Sequence, residues 1–291
     1  MDIVDCHVHL WATGHPSPAH RQVPQLTAQT LLGEMVAAGV SAALIQPPAW
    51  DPTSNEVAIE AARAFPKRFS TLGWFVLDPM AEPTRVATWR MQPGMLGLRF
   101  AFAQPHEKAW LSNGALDWLW PAAEAAGLPV ALACTDFLPM VGGIAERHPR
   151  LRLLIDHLGA PLRSVGVAAY ARLPELLALA RHPNIAVKAS AAPGYSALGY
   201  PFSDMHDYLH AVFDAFGPAR MFWGTDITRM PCSWTDCVRL FTEALPWLQG
   251  GDLDQVMGGA LRAWIDWPLE AGLGLGRRSG MPGIASSDMS R

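Results

Sequence analysis

Ile3-Val4-Asp5-Cys6-His7-Val8-His9 is the stretch on which the reading of the fold turns. It begins as a short β-prone apolar run and ends in polar groups two residues apart. Side chains alternate faces along a strand, so His7 and His9 point the same way, on a face that continues through Asp5 toward an interior. The same kind of apolar run recurs at Ala42–Gln46, Phe69–Val76, Met95–Phe100, Pro129–Cys134, Leu151–Asp156, Ile185–Ala189 and Met221–Trp223. Between the runs lie segments with helical spacing, at Thr27–Ala38, Asn55–Ala64, Leu116–Ala126, Leu173–Ala180, Asp204–Phe216 and Cys237–Leu245. Gly39, Gly127 and Gly217 stand where helix C-caps belong. Continuously apolar strands joined by helical crossovers are buried on both faces and pair in parallel. Eight such units in about 250 residues predict a (β/α)8 TIM barrel. It is read as a single domain over residues 1–267. An open doubly wound sheet is the alternative, but no Gly-x-Gly-x-x-Gly turn follows the first strand. Asp252–Trp267 reads as one extra helix closing the barrel, and the Gly- and Ser-rich residues 268–291 as a flexible tail.

Composition agrees with this reading. Half of the 291 residues are hydrophobic, 12 are Trp, and only 16% are charged, against about 25% in an average soluble domain. A disordered chain is thereby excluded. The longest apolar stretches, such as Met35–Ile45 and Leu128–Cys134, are shorter than the roughly 18–20 residues of a membrane span, so no membrane association is expected. The net charge of −4 is spread along the chain with no basic run, which argues against nucleic acid as a partner. The chain opens directly on strand-like residues rather than on a signal peptide, and its four cysteines are too sparse for a disulfide framework. Both point to the cytoplasm. The apolar excess is compatible with a homodimer.

A barrel places its chemistry at the C-terminal ends of its strands, so the residues there are the candidates. Strand one offers His7 and His9, which can bind a divalent ion, polarise a carbonyl, or sit as hydrogen-bonded interior histidines. Strand four ends in Arg99, suited to a substrate carboxylate or to a structural ion pair. Strand five ends in Cys134-Thr135-Asp136, where Cys134 is a packed small side chain or a thiol ligand. Strand six ends in Asp156-His157-Leu158-Gly159. Lys188, one of only three lysines, interrupts the apolar seventh strand and must be paired if it is buried and charged. A salt bridge across the mouth and a catalytic role are both open to it. Strand eight ends in Gly224-Thr225-Asp226.

The connecting loops add Trp11, His15 and His20 after strand one, Trp50 after strand two, His106 and Trp110 after strand four, and Arg229, Cys232 and Trp234 after strand eight. Tryptophans there suit stacking on a substrate, or simply cover the mouth. Trp74 and Trp223 lie on strands and read as core. His15, His20 and His106 read as solvated loop residues, and His206 and His210 as an exposed helical pair. His148 and His182 fall on the opposite face and carry no chemistry. Cys232 and Cys237 match no zinc spacing and read as ordinary thiols.

Taken together, Asp5-x-His7-x-His9, Asp156-His157-x-Gly159 and Gly224-Thr225-Asp226 resemble the amidohydrolase superfamily. The closer likeness is to its amidohydrolase-2 branch of hydrolases, lactonases and decarboxylases, over roughly residues 2–265. Asn55, Gly97-x-Arg99 and Gly217-x-x-Arg220 support it. Metal-dependent members supply a strand-five histidine, where this sequence has Cys134, and binuclear members a lysine or glutamate on strand four, where it has Arg99. The resemblance therefore implies either no metal, as in lactonases similar to pyrone dicarboxylate lactonase, or one divalent ion. Zn²⁺ would be held by His7, His9 and Asp226, with Cys134 completing a tetrahedron. It implies hydrolysis of a lactone or related small carbonyl or carboxylate compound. In that reading Asp226 activates water, His7, His9 and His157 polarise the carbonyl, and Arg99 and Lys188 hold a carboxylate. Trp11, Trp50, Trp234 and Arg229 line the substrate. The alternatives are a metal-dependent nonoxidative decarboxylase of an aromatic or unsaturated acid, and a barrel that binds a ligand without turnover.

Overall fold

The computed structural model describes residues 1–77, 83–102, 104–161 and 163–267. The segment read as a tail lies outside them. Eight strands form one sheet in sequential order, each parallel to the next. They are β1 (Val4–Val8), β2 (Ala42–Ile45), β3 (Phe69–Trp74), β4 (Met95–Phe100), β5 (Val130–Leu132), β6 (Leu153–Ile155), β7 (Ile185–Ala189) and β8 (Met221–Trp223). The Asp226 backbone N–H donates to the His7 carbonyl at 2.8 Å, joining the end of β8 to β1. The result is the (β/α)8 barrel that the alternating pattern predicts.

The main crossover helices include α1 (Ala28–Ala37), α2 (Ser54–Ala64), α3 (Pro83–Ala87), α4 (Pro105–Ser112), α5 (Leu119–Ala125), α6 (Leu138–Arg147) and α7 (Leu173–Ala178). They continue as α8 (Ala192–Tyr195), α9 (His206–Phe216) and α10 (Trp234–Thr242). Gly39, Gly127 and Gly217 follow α1, α5 and α9 with positive φ, as C-caps require. Ser233 caps α10 by accepting from the Asp236 N–H, and the Asp236 carboxylate accepts from the Ser233 N–H in return.

Two apolar layers follow from the strands. Alternate residues, such as Val130 and Leu132 or Ile185 and Val187, pack outward against the helices. Val4, Cys6, Ala42, Leu44, Leu72, Ala131, Leu154, Ala186 and Phe222 form a separate cluster. Only the barrel interior brings together residues from seven strands in this way. The C-terminal segment plugs the foot of that interior with Ala260, Leu261, Ile265 and Trp267. The segment is not the single helix expected. It breaks into α11 (Gly250–Asp254), a π-turn at Gln255–Gly259 and α12 (Ala260–Ile265). Gly258 explains the break, since a Cβ there would lie 2.4 Å from the Asp2 carbonyl oxygen and 2.7 Å from a Val4 methyl. The chain bends to press its backbone against the start of β1.

One sequence expectation fails inside β1. Pairing with β2 runs Val4 to Ala42 and Asp5 to Ala43, then Val8 to Ile45, so β1 spends three residues where β2 spends two. This bulge breaks the strict alternation. Asp5 therefore does not share the interior face with His7. It accepts from the Thr225 N–H and hydroxyl, the His7 N–H and Nε1 of Trp234 on α10. Burial pushes its carboxyl up to about 7 despite these donors.

Candidate active site

The strand ends open into a cavity of about 540 Å³. Ala101, Ala133, Asp156, His157 and Asp226, each just beyond a strand, form part of its wall. The last turns of the strands bend sharply to place these groups. His157 and Leu158 after β6, Ala191 after β7 and Asp226 after β8 all have positive φ. Such backbones cost a non-glycine residue about 1 kcal/mol or more and concentrate at functional sites. Leu158 is held by its carbonyl, which accepts from the Tyr208 hydroxyl at 2.9 Å.

Asp226 is the centre of the cavity floor. Its Oδ1 lies 3.3 Å from His9 Nε2, and its Oδ2 lies 2.6 Å from Arg229 Nε and 3.7 Å from His157 Nε2. Burial alone would raise its carboxyl, but the Arg229 guanidinium beside it holds it well below the carboxylate range. Asp226 is therefore a carboxylate at any working pH. His9 Nδ1 lies 2.5 Å from the Gln46 carbonyl, which can only accept, so Nδ1 carries the proton. The second nitrogen, Nε2, faces Asp226 Oδ1 at 3.3 Å, a separation that a proton or a cation between them bridges. His157 Nδ1 pairs with the Ser190 hydroxyl at 2.8 Å. Burial, and next Arg229, lower His157 to about 3, so it is a neutral imidazole. His7 is fully buried, lies 4.4 Å from the His157 ring, and has no hydrogen-bond partner on either nitrogen among the described residues. Burial holds it neutral as well.

A second layer sits beneath. Asp156 receives Arg99 Nε at 2.9 Å and Lys188 Nζ at 2.8 Å, and its Oδ1 is 3.9 Å from His7 Nδ1. Burial opposes its ionisation, but the Lys188 and Arg99 cations override that and hold it low. Lys188 is fully buried and does not reach the cavity wall. The structure thus gives Lys188 the structural ion pair of the two roles open to it, and ties Arg99 to Asp156 although Arg99 also lines the cavity.

Of the four loop tryptophans, only Trp50 lines the cavity, packed 4.7 Å from the His20 ring. Trp11 is fully buried, donates to the Val23 carbonyl and belongs to the outer core. Trp234 is buried on Asp5. Both were expected at the substrate. Each instead meets a buried acceptor that its indole N–H satisfies away from the mouth. Cys134 is also displaced: it packs in the outer layer, Ala133 takes the cavity position, and burial with the Asp156 charge pushes its thiol up. It is not within reach of the histidines as a ligand. Trp110 meets exposed His106 edge-on, away from the cavity.

The structure also adds residues. His20, read as solvated, is half-buried, pairs with the Thr228 hydroxyl at 2.7 Å and lies 3.9 Å from Asp226 Oδ1. Burial lowers it to about 4. Trp74, read as core, forms part of the wall with Phe102 and Phe137. Asn55 holds it there by bonding both the N–H and carbonyl of Trp74. No local motif separates His20 from His15 on the same loop. The Asp51 side chain, which ties the loop's Ala12 and Thr13 to the next crossover, is what folds it inward.

These side chains fit a divalent cation. Two groups of three possible ligand atoms share Asp226, one with His7 and His157 and one with His9 and His20, each within 4.8 Å. The unpartnered His7 nitrogens, and the His9 Nε2 that faces Asp226, are the atoms a cation would satisfy. The ligand set expected from sequence, His7 with His9 and Asp226, is split between the two groups.

A parallel barrel with histidines and an aspartate converging at its strand ends defines a hydrolase-type site. The chain belongs to the amidohydrolase family, whose model matches residues 4–275. It is 31% identical over 163 residues to an L-fucono-1,5-lactonase from Burkholderia ambifaria, a match covering 54% of each chain. The chain thus matches about half the length of that curated relative. Its fold is similar to an amidohydrolase from Burkholderia multivorans with bound zinc, with TM-score 0.79 and 21% identity over 92% of this chain and 100% of the other. It is also similar to a protein assigned as a 2-pyrone-4,6-dicarboxylic acid hydrolase from Pseudomonas putida. There the TM-score is 0.71, with 21% identity over 92% and 99% of the two chains. At such identities the structural likeness concerns the fold.

Proposed function

We propose that the protein is a lactonase that opens a small cyclic ester by hydrolysis. The observation that carries this reading is Asp226, an ionised carboxylate on the cavity floor within reach of His9, His157 and Arg229. The name of the 31% identical relative supports the substrate class.

In this mechanism Asp226 accepts a proton from water as the oxygen attacks the lactone carbonyl. A carboxylate held so low is a weak base. The proton therefore passes on to His9 Nε2, 3.3 Å away, whose orientation the Gln46 carbonyl fixes. His157 faces the developing oxyanion as a neutral imidazole, stabilising it where an N–H is turned toward it, with the buried His7 ring packed 4.4 Å away. The ring C–O bond then breaks, and the leaving alkoxide takes the proton from His9. Trp50, Trp74, Phe102 and Phe137 pack on the lactone ring, and the buried, unpartnered Nε1 of Trp50 donates to a substrate oxygen. A divalent ion held by Asp226 with His7 and His157, or with His9 and His20, would supply Lewis-acid polarisation of the carbonyl. A binuclear site has no carboxylate on β4, where Arg99 stands.

The test is acid release, followed with a pH indicator, from a panel of 1,5-lactones and pyrones. Hydrolysis of at least one lactone at more than about 10⁴ M⁻¹s⁻¹ in kcat/KM is expected. No acceleration on any lactone, with turnover of an aromatic carboxylate that chelation abolishes, would replace this reading with the decarboxylase.

A further inference from the structure

Cys232 and Cys237 take no part in the cavity, yet they touch: their Sγ atoms lie 3.6 Å apart. The contact follows from the way α10 begins. Ser233 is the N-cap and Asp236 the third helical residue, and their reciprocal hydrogen bonds fix the angle at which the chain enters the helix. That entry brings the side chain before the cap onto the one in the fourth helical position, a pairing that two apolar residues fill in many helices. Here both places hold cysteine. Two alkyl side chains would staple the turn as well; what two thiols add is the capacity to form a bond. A disulfide of about 2.05 Å asks the sulfurs to approach by about 1.5 Å, a shift of the size that side-chain rotation supplies.

The two thiols are not equivalent. Cys237 is buried in the outer core, and its carbonyl accepts from Nε1 of Trp223 at 3.2 Å. Cys232 is only half-buried and meets solvent. The Cys237 S–H, donating to Cys232 Sγ, lowers the Cys232 thiol against burial and the Asp236 charge. An accessible nucleophilic sulfur with a second thiol behind it is the arrangement of reversible thiol oxidation. Cys6 and Cys134 differ from this pair: both are buried, and burial pushes both thiols up. The location ties the pair to the site. The loop between β8 and α10 carries Asp226, Thr228 and Arg229 and ends at Cys232 and Ser233. Arg229 Nε lies 2.6 Å from Asp226, and the Thr228 hydroxyl pairs with His20. Trp234, the first residue of α10, is anchored on Asp5.

We propose that Cys232 and Cys237 form a peroxide-sensitive dithiol, which closes to a disulfide and tethers the loop carrying Asp226 and Arg229 to α10. Cys232 Sγ, as thiolate, attacks one oxygen of hydrogen peroxide. The O–O bond breaks and hydroxide leaves, giving a sulfenic acid at Cys232. Cys237 Sγ then attacks the Cys232 sulfur, the S–O bond breaks, and the hydroxyl leaves with the Cys237 thiol proton as water. The proton first lost from Cys232 converts the hydroxide to a second water. Two thiols thus lose two electrons and two protons, and one peroxide is reduced to two waters. A small dithiol reverses the bond by exchange.

The test needs no substrate. Wild type, Cys232→Ser and Cys237→Ser are treated with a small excess of hydrogen peroxide and followed by thiol titration, intact mass and non-reducing peptide mapping. Wild type is expected to lose two of its four free thiols and about 2 Da of mass. The map should show one peptide pair, joined within a chain through Cys232 and Cys237 and released by dithiothreitol. Cys237→Ser should stop at the sulfenic acid, which dimedone traps, and Cys232→Ser should lose thiol at least about tenfold more slowly than wild type. The oxidised wild type should melt about 2 °C or more above the reduced protein, because the bond restricts the unfolded chain. Where Cys237→Ser fails to fold, the wild-type map decides by itself. Four thiols retained, oxidation to acids without a bond, a link between two chains, or a bond that includes Cys6 or Cys134 overturns the proposal. A Cys232–Cys237 bond with no rise in melting temperature overturns the tether and leaves the dithiol standing. Each of these failures leaves the lactonase reading untouched, and absence of lactone turnover leaves the dithiol untouched.

Discussion

The two ends of the barrel interior are made of different matter. The foot is apolar: Val4, Ala42, Leu44, Leu72, Ala131, Leu154, Ala186 and Phe222, sealed by Leu261, Ile265 and Trp267. The mouth holds Asp156, Lys188, Arg99, His7, His157 and Asp226, nearly all buried. The foot contributes stability by excluding water. The mouth gains little net stability from its ion pairs, because desolvation offsets their attraction. What it gains is fixed charge in a low-dielectric site, where electrostatics act strongly on a transition state. The division assigns stability to one end and chemistry to the other, and each prediction below probes that assignment.

The largest effect is expected where the two ends meet. Lys188→Met leaves Asp156 buried with only Arg99, and should cost about 3–5 kcal/mol in denaturant unfolding. A loss under about 1 kcal/mol would mean that the buried pair is not as tight as its 2.8 Å separation indicates. Ile265→Ala, at the foot, should cost about 2–4 kcal/mol while kcat/KM stays within about twofold at a temperature where the variant is folded. A tenfold loss of kcat/KM would break the separation of the two ends.

Acid should weaken the mouth before the foot. His7, His20 and His157 are depressed by burial, the last two to about 4 and about 3. Each takes up a proton on unfolding between its folded value and about 6.5, so its contribution to stability is lost as pH falls through that window. Asp5 opposes them. Folded it holds its proton up to about 7 and unfolded only to about 3.9, so its contribution grows as pH falls from 7 to 4. Three against one gives an uptake of about two protons on unfolding near pH 5. Stability measured by urea denaturation should fall from pH 6.5 to 4.5, and a flat profile would contradict the neutral histidines.

The smallest effect on binding, set against a loss of stability, separates two tryptophans of adjacent loops. Trp50→Ala should raise KM about tenfold, about 1.4 kcal/mol, with little change in stability. Trp11→Ala should do the reverse, costing about 3–5 kcal/mol of stability with KM held. Equal KM values for Trp50→Ala and wild type would remove Trp50 from the substrate wall.

The fold was legible because burial on both faces leaves a strong mark: eight apolar runs spaced by amphipathic segments admit few architectures. The positions of His7, His9, His157 and Asp226 were legible for the same reason, since polar groups ending apolar strands have nowhere to point but the mouth. The orientation of Asp5 was not, because a bulge depends on pairing register with β2, which no single strand encodes. Nor were the loop residues. Trp11, Trp50 and Trp234 look alike in sequence, and what sorts them is a long-range partner: Val23 for Trp11, Asp5 for Trp234, and none among the described residues for the buried Trp50 nitrogen. His20 joined the site through contacts with Thr228, more than 200 positions away.

The central claim is that Asp226 moves the proton in hydrolysis. Steady-state kinetics of wild type and Asp226→Asn on the best lactone, with binding of the hydroxy-acid product measured alongside, test it most directly. The account predicts a fall in kcat of about 10³ or more, with product affinity retained within about tenfold. Asp226→Asn turning over at the wild-type rate would contradict it.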